Sequence, residues 1–429
     1  MRSLEDFIKQ HREDDVRQLA LQGGRYPDVD MTFALQQIAG WQIARRKLPS
    51  WAETEGIVYP PHLSMEQCSS EQTARYKASV VSMREERGER REKGDERRCG
   101  KLVDLTGGMG VDFAFLAKAF DEAVYVEQQP HLCEAARTNF RLLGLENTEV
   151  VCGDSVEYLH QLDKATLIYL DPARRDSHGG RTYAITDCTP DVLALEEELL
   201  KKGDSVMVKL SPMLDWHKAI DDFNRLGDVV REVHIVSAGN ECKELLLLLS
   251  NKSHTPLSIH CVNDEEVFIY LRSEERGYEG TEVRGHENCS STKGTLTPSH
   301  PRTSVLPKNF LYEPNASIMK AGCFDVLQER LNVQSVGKNS HLFISAHFIE
   351  NFPGRKFQIS SISSIKEFPK LLKRLQLTKA NVAVRNYPMS VNELRKRLKL
   401  KDGGDTYIFG TTLEGGKRLL LICSKVIKS

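Results

Sequence analysis

Four carboxylates recur in one part of this chain, each at the end of a short apolar run. Asp104 follows "KLV", Glu127 follows "AVYV", Asp154 follows "VVCG" and Asp171 follows "LIYL". A carboxylate offers two acceptor oxygens, which suits paired hydroxyls or an amino group. Between the first two lies "LTGGMGVDFAF", a glycine-rich turn that runs into a helix. Such a turn lets a ligand approach the backbone and meet the helix N-terminus. It does not fit the dinucleotide fingerprint GxGxxG, because Phe113 stands where the third glycine would be. Asp171 leads straight into Pro172, Ala173 and Arg174. A carboxylate and the following carbonyl can accept the hydrogens of an amine, although Asp-Pro is also an ordinary strand-to-loop turn.

The elements that would position these residues alternate along residues 101–272. Strand candidates are "KLVDLT", "AVYVEQ", "TEVVCG", "LIYLDP", "SVMVKLS", "REVHIVSA" and "LLLLLS", with helices over 111–120, 131–143, 155–162, 190–201 and 215–226. Alternation of this kind predicts a mainly parallel sheet with helices on both faces, and ligands gather at the carboxyl ends of such strands. All four acids fall there. Glu127, 23 residues after Asp104, is placed to take both hydroxyls of a ribose. Asp154 is placed to accept from an adenine amine, with Ser155 opening the next helix, although each of these acids taken alone also reads as a strand-end or helix-cap residue. Upstream, residues 1–55 show helical periodicity (Leu4, Phe7, Ile8; Val16, Leu19, Ala20; Phe33, Leu35, Ile38, Ala39), and a further helix is capped by Ser69 or Ser70. The run "REERGERREKGDERRCGK" reads as a solvated connection, and residues 276–305, rich in Gly, Ser, Thr and Pro, as a flexible linker.

"DLTGGMG" resembles the cofactor loop "DLGCGTG" of class I methyltransferases that use S-adenosylmethionine, with Thr106 in place of the first glycine and Gly108 and Gly110 retained. The resemblance extends over residues 56–275. It implies a Rossmann-like α/β domain, S-adenosylmethionine as cofactor, and a cofactor site built from Asp104, Thr106, Gly108, Gly110, Asp112, Glu127, Asp154 and Ser155. "DPAR" then holds the place of the "DPPY" or "NPPF" loop of enzymes that methylate amino nitrogens, which makes Asp171, Pro172 and Arg174 the candidate catalytic residues. Arg174 stands where an aromatic usually stacks on the base. Methylation of uridine carbon is disfavoured, since "VMVKLSP" offers Lys209 and Ser211 but no cysteine nucleophile. Lys209, at the end of that strand, has two readings, facing the pocket or, by default, a surface lysine, and Asn240 or Glu241 is read as a pocket residue. The lead-in "GIVYPPHLSMEQCSSEQTA" resembles the entry to guanine-N2 RNA methyltransferases, and "VAVRNYPMSVNELRKRLKLKDGGDTYIFGT" resembles a THUMP-like module.

Bulk composition agrees with a soluble protein. The chain has 429 residues, 40% hydrophobic and 28% charged, with no apolar run near the roughly 20 residues of a membrane span. Ten cysteines are scattered without a CxxC pair, so a cytoplasmic location and no metal site are expected. Charge is uneven: residues 306–429 hold 21 Lys+Arg against 9 Asp+Glu, the rest 38 against 51. A basic module on an acidic body suggests a polyanionic partner. Two small α+β modules are expected, a ferredoxin-like one at 306–365 and a THUMP-like one at 366–429. In the latter, Arg395, Lys396, Arg397 and Lys399 would face solvent while Leu394, Leu398 and Leu400 face a core.

The expectation is a methyltransferase that acts on a base amine of RNA, with guanine N2 in tRNA or rRNA favoured and the basic C-terminal region holding the RNA. A DNA adenine or small-molecule N-methyltransferase is one alternative. A non-catalytic protein that binds S-adenosylmethionine and RNA is the other.

Overall fold

The computed structural model describes residues 4–84, 100–174, 185–251, 255–275 and 309–426. Most of the charged run and all of the linker 276–305 lie outside the described residues. The described chain divides into two compact units, residues 1–238 with 242–257, and residues 239–241 with 258–429.

The first unit begins with helices α1 (Leu4–His11), α2 (Val16–Leu21) and α3 (Met31–Lys47), whose Phe7, Leu19, Ala34 and Ile38 close a small core. Phe33, expected inside, is exposed, and its neighbour Ala34 takes the buried position. After α4 (Pro49–Glu53), the extended lead-in 56–61 is held by buried amides. Asn139 accepts from Val58 N at 2.8 Å and donates to Val58 O at 2.9 Å, and Gln37 does the same for Tyr59 at 2.8 and 2.9 Å. These side chains satisfy backbone groups that no strand partner reaches. Helices α5 (His62–Gln67) and α6 (Glu71–Arg84) follow, with Ser70 Oγ capping α6 through Thr73 N at 3.2 Å.

Strands β1 (Lys101–Asp104), β2 (Glu122–Glu127), β3 (Thr148–Cys152), β4 (Ala165–Leu170), β5 (Gly203–Leu210), β6 (Val230–Ala238) and β7 (Glu241–Leu249) form a sheet in the order β6-β7-β5-β4-β1-β2-β3. The pairs β3–β2, β2–β1, β1–β4 and β4–β5 are parallel, and β5–β7 is antiparallel. Consecutive residues such as Ile168 and Tyr169, or Val206, Met207 and Val208, are all buried, so both faces of the sheet are covered. The connecting helices are α7 (Val111–Leu116), α8 (Pro130–Leu142), α9 (Ser155–Gln161), α10 (Val192–Lys202) and α11 (Trp216–Phe223). Asp191 and Asp215 cap α10 and α11, so these helices begin later than the apolar pattern suggests. β7 begins before the leucine run because Gly239 and Asn240, at φ 58° and 63°, make a two-residue hairpin turn.

In the second unit, β8 (Ser258–Asn263) and β9 (Glu266–Leu271) form a hairpin. Seven further strands share one sheet: β10 (Phe310–Pro314), β11 (Gln334–Ser335), β12 (Phe343–Ser345), β13 (Gly354–Ser363), β14 (Asn381–Arg385), β15 (Thr406–Thr412) and β16 (Arg418–Lys425), in the order β11-β12-β10-β13-β16-β15-β14. Strands from both sides of residue 365 therefore belong to one sheet. Helices α12 (Ala316–Ala321) and α13 (Phe324–Leu331) follow β10. Helices α14 (Phe368–Leu375) and α15 (Val391–Leu398) bury Phe368, Leu371, Leu394 and Leu398 against Ile408, Leu420 and Ile422. The alternate residues Phe409, Leu421 and Cys423 belong to a separate cluster with Leu311 and Phe357. No helix among the described residues is long and apolar enough to cross a membrane.

Candidate functional site

A cavity of about 810 Å³ opens at the carboxyl ends of β1 to β5, within the first unit. That is the size range of small-molecule sites. Its floor is the turn 105–110. Gly110 has φ 83°, and a Cβ there would stand 2.7 Å from the Phe140 ring. At Gly107 a Cβ would stand 2.2 Å from the Tyr125 ring, so this glycine, not singled out from the sequence, is required by packing. Phe113, Tyr125 and Phe140 form an aromatic cluster beneath the turn, and the Tyr125 hydroxyl donates to Gly108 O.

Glu127 ends β2 with both oxygens engaged by backbone. Gly108 N donates to Oε2 and Gln129 N to Oε1, each at 2.9 Å. The glycine turn and the acid are thus fixed to one another. Asp104 is 1% exposed, and its Oδ1 accepts from Thr106 N at 2.9 Å and Thr106 Oγ1 at 3.3 Å. Burial, reinforced by Asp112 and Asp171 nearby, raises its carboxyl well above the ordinary value despite those bonds. Asp154 is exposed and caps α9, accepting from Val156 N at 2.8 Å and Glu157 N at 3.0 Å; Ser155 is the first helical residue, and both line the cavity.

Asp112 lines the cavity as well, but its carboxylate belongs to a buried network. Oδ2 accepts from Ser69 Oγ and Tyr169 Oη, each at 2.7 Å, and Oδ1 lies 3.1 Å from Lys77 Nζ. Lys77 is fully buried and also pairs with Glu244 at 2.6 Å. Burial would raise Asp112, yet Lys77 and Lys209 outweigh it and hold the group below its usual value. Glu244 goes the other way, raised by burial in spite of the same lysines. Lys77 was not among the sequence candidates, although Thr73 and Val80, four residues before and three after it, are buried on the same helical face.

Asp171 follows β4 at the cavity edge, with Pro172 buried beside it. Its backbone N–H donates to Thr106 Oγ1 at 2.6 Å, and its Oδ2 accepts from Lys209 Nζ. Lys209 is therefore a cavity residue with its side chain 13% exposed, not a surface lysine. Burial alone would lower it, but Asp171, Asp112 and Glu244 hold its ammonium above the ordinary range. The backbone of Arg174 pairs with Cys188, while its side chain lies outside the described residues. Asn240 and Glu241 do not line the cavity, and Asn240 Oδ1 instead accepts from Ala316 N at 2.9 Å. Besides the protonated Asp104, five carboxylates (Asp112, Glu127, Asp154, Asp171, Asp191) and two lysines (Lys209, Lys243) line the space, which favours a cationic ligand.

Family models match the C-terminal part of the chain: a ferredoxin-like domain over residues 310–353 and a THUMP domain-like model over 354–425. No curated protein matches. Among solved structures, one named as that of a methyltransferase from Porphyromonas gingivalis W83 is 31% identical, covers 99% of this chain and 98% of its own, and superposes with a TM-score of 0.78. The S-adenosylmethionine-dependent methyltransferase from Agrobacterium tumefaciens is 17% identical over 42% of this chain and 62% of its own, with a TM-score of 0.30. The human methyltransferase 10 domain containing protein is 12% identical over 49% and 96%, with a TM-score of 0.37. The last two are too distant to argue from. The full-length match carries the assignment, and the chain belongs to the same methyltransferase family as that protein, with a THUMP-like domain at its C-terminus.

Proposed function

We propose that this enzyme methylates a base amine of RNA, at guanine N2, and that Asp171 with Pro172 orients the acceptor. S-adenosylmethionine supplies an electrophilic methyl group on a sulfonium centre. The residues present suit that cofactor: an excess of carboxylates for its positive charge, a glycine turn in which Gly108 holds a left-handed backbone with φ 54° and a Cβ would meet only Thr106 O, at 3.7 Å, and a paired acceptor at Glu127. In this reading Glu127 takes the ribose hydroxyls, Asp154 and Ser155 stand at the adenine end, and Gly108 and Gly110 admit the cofactor to the backbone.

The observation that carries the acceptor assignment is Asp171, which stands at the rim beside the glycine turn with its backbone and one oxygen already held. Its second oxygen can accept an amine hydrogen, aiming the nitrogen lone pair and offsetting the positive charge that develops on it. Guanine N2 is proposed on the likeness of the 56–74 lead-in to guanine-N2 enzymes.

RNA as the acceptor rests on the second unit. Residues 354–425 carry 16 Lys+Arg against 5 Asp+Glu, whereas 310–353 carry 3 against 4. The positive charge thus belongs to the THUMP-like part. Lys366, Lys370, Lys373 and Arg374 on and beside α14, and Lys396, Arg397, Lys399 and Lys401 on and beside α15, are all exposed. Leu394, Leu398 and Leu400 face the core, while Arg395 is partly buried and pairs with Asp402 at 2.7 Å. Exposed charge of this kind binds phosphates without reading sequence.

The test is to incubate RNA from a strain lacking the gene with the protein and methyl-labelled S-adenosylmethionine, then identify the labelled nucleoside by mass spectrometry. N2-methylguanosine is expected. A different labelled base would overturn the acceptor, and label on DNA or metabolites alone would overturn RNA.

A further inference from the structure

Asp171 is gripped from both flanking strands. In the parallel pair β4–β5, Leu170 is in register with Val208, so Asp171 and Lys209 are the next residues at the strand ends. There Lys209 Nζ donates to Asp171 Oδ2. On the other side of β4 lies β1, and Thr106, two residues beyond its end, accepts from Asp171 N at 2.6 Å. The same Thr106 hydroxyl donates to Asp104 Oδ1 at 3.3 Å, and Thr106 N donates to that oxygen at 2.9 Å. Thr106 replaces the glycine of the usual cofactor loop, and a glycine has no hydroxyl to make either contact. The substitution thus ties the glycine turn to the loop that carries Asp171.

We propose that Lys209 and Thr106 are positioning residues for methyl transfer, Lys209 fixing the Asp171 carboxylate and Thr106 its backbone. This rests on Asp171 being the acceptor-orienting group. Reaction geometry is unforgiving, since a displacement of 1 Å can cost on the order of 10²-fold in rate. A half-exposed aspartate on a free loop would sample many orientations, whereas two fixed contacts leave its second oxygen in one direction. Among the described residues, the groups around this point are Asp104 at the end of β1, Thr106 just beyond it, Asp112 from α7, Tyr169 from β4, Lys209 from β5 and Glu244 from β7, with Lys77 from α6 paired to Asp112 and Glu244. Of these, only Lys209 and Thr106 hydrogen-bond to Asp171 among the described contacts.

The experiment compares Lys209→Met, Lys209→Arg, Asp171→Asn and the double variant Lys209→Met/Asp171→Asn, in transfer of labelled methyl to RNA from a strain lacking the gene. Lys209→Met is expected to lower kcat by about 10²-fold with cofactor affinity unchanged. Lys209→Arg should recover most of that loss. The double variant should be no slower than Asp171→Asn alone, because residues acting as a unit are non-additive. It also removes both charges, so it guards against simple misfolding of Lys209→Met. If Asp171→Asn is inactive while Lys209→Met is fully active, or if the two losses multiply, the positioning role is wrong although the reading of Asp171 stands. If Asp171→Asn is fully active, that reading itself fails. A second measurement needs no turnover: hydrogen exchange of the peptide 167–174 in the unliganded protein. Thr106→Val removes the acceptor of the Asp171 amide and should speed its exchange more than tenfold; unchanged exchange would overturn the clamp.

Discussion

Methionine at position 77 keeps most of the length of the lysine and removes its charge. In the native protein Lys77 is 0% exposed, with Nζ 2.6 Å from Glu244, 3.1 Å from Asp112 and 3.3 Å from Ser69 Oγ. Two carboxylates, Glu244 at 2% and Asp112 at 8% exposure, then lose their shared cation in a site with little access to water. Breaking a buried ion pair from one side costs about 3–5 kcal/mol. The lower end applies here for two reasons. Asp112 keeps hydrogen bonds from Ser69 and Tyr169, and Glu244, already raised by burial, can take a proton. We therefore expect Lys77→Met to destabilise the first unit by about 3 kcal/mol. All three tryptophans, Trp41, Trp51 and Trp216, lie in that unit, so their fluorescence in a urea titration isolates its unfolding from that of the second unit. Lys77→Met/Glu244→Gln removes one of the stranded carboxylates and should regain more than half of the loss. A loss below about 1 kcal/mol, or a double variant no better than the single, would refute the argument that this network is desolvated and mutually compensated.

Three further outcomes are expected. Glu127→Gln presents an amide donor to one of two backbone N–H groups, which costs about 1.5–3 kcal/mol of charged hydrogen bonding, so cofactor affinity measured by calorimetry should fall at least tenfold. Gly110→Ala forces a Cβ into a left-handed backbone against Phe140 and should destabilise the first unit by about 2–4 kcal/mol in the same urea titration. Asp104→Asn changes the pH dependence. The folded Asp104 holds its proton well above 3.8, so its stabilising contribution is complete below that value and is lost as pH rises through the folded value. Asparagine can still accept from Thr106 but does not titrate, so the decline in stability as pH rises above 3.8 should become shallower. An unchanged slope would mean that Asp104 is ionised in the fold.

The parallel sheet was legible because its strands are short apolar runs at regular spacing, each closed by a polar residue. Local pattern therefore sufficed to place Asp104, Glu127, Asp154 and Asp171 at strand ends, and the glycines between them marked a turn that needs left-handed backbone. The basic character of the C-terminal region was likewise a matter of counting. Lys77 was not legible in this way, and Lys209 only as one of two readings, pocket or surface. A lysine in "VMVKLS" or "ARYKAS" has the composition of a surface residue, and its burial depends on carboxylates 38 and 167 residues away in the chain, Asp171 and Glu244. Asp112 was a ligand candidate through the resemblance of the glycine turn to a cofactor loop. Only packing against α6 reveals that its oxygens already serve Ser69, Tyr169 and Lys77. Spacing along the chain determines which residues reach the edge of the sheet. Which of them remain open to a ligand is decided by distant charges, because a buried charge must find its partner wherever the fold supplies one.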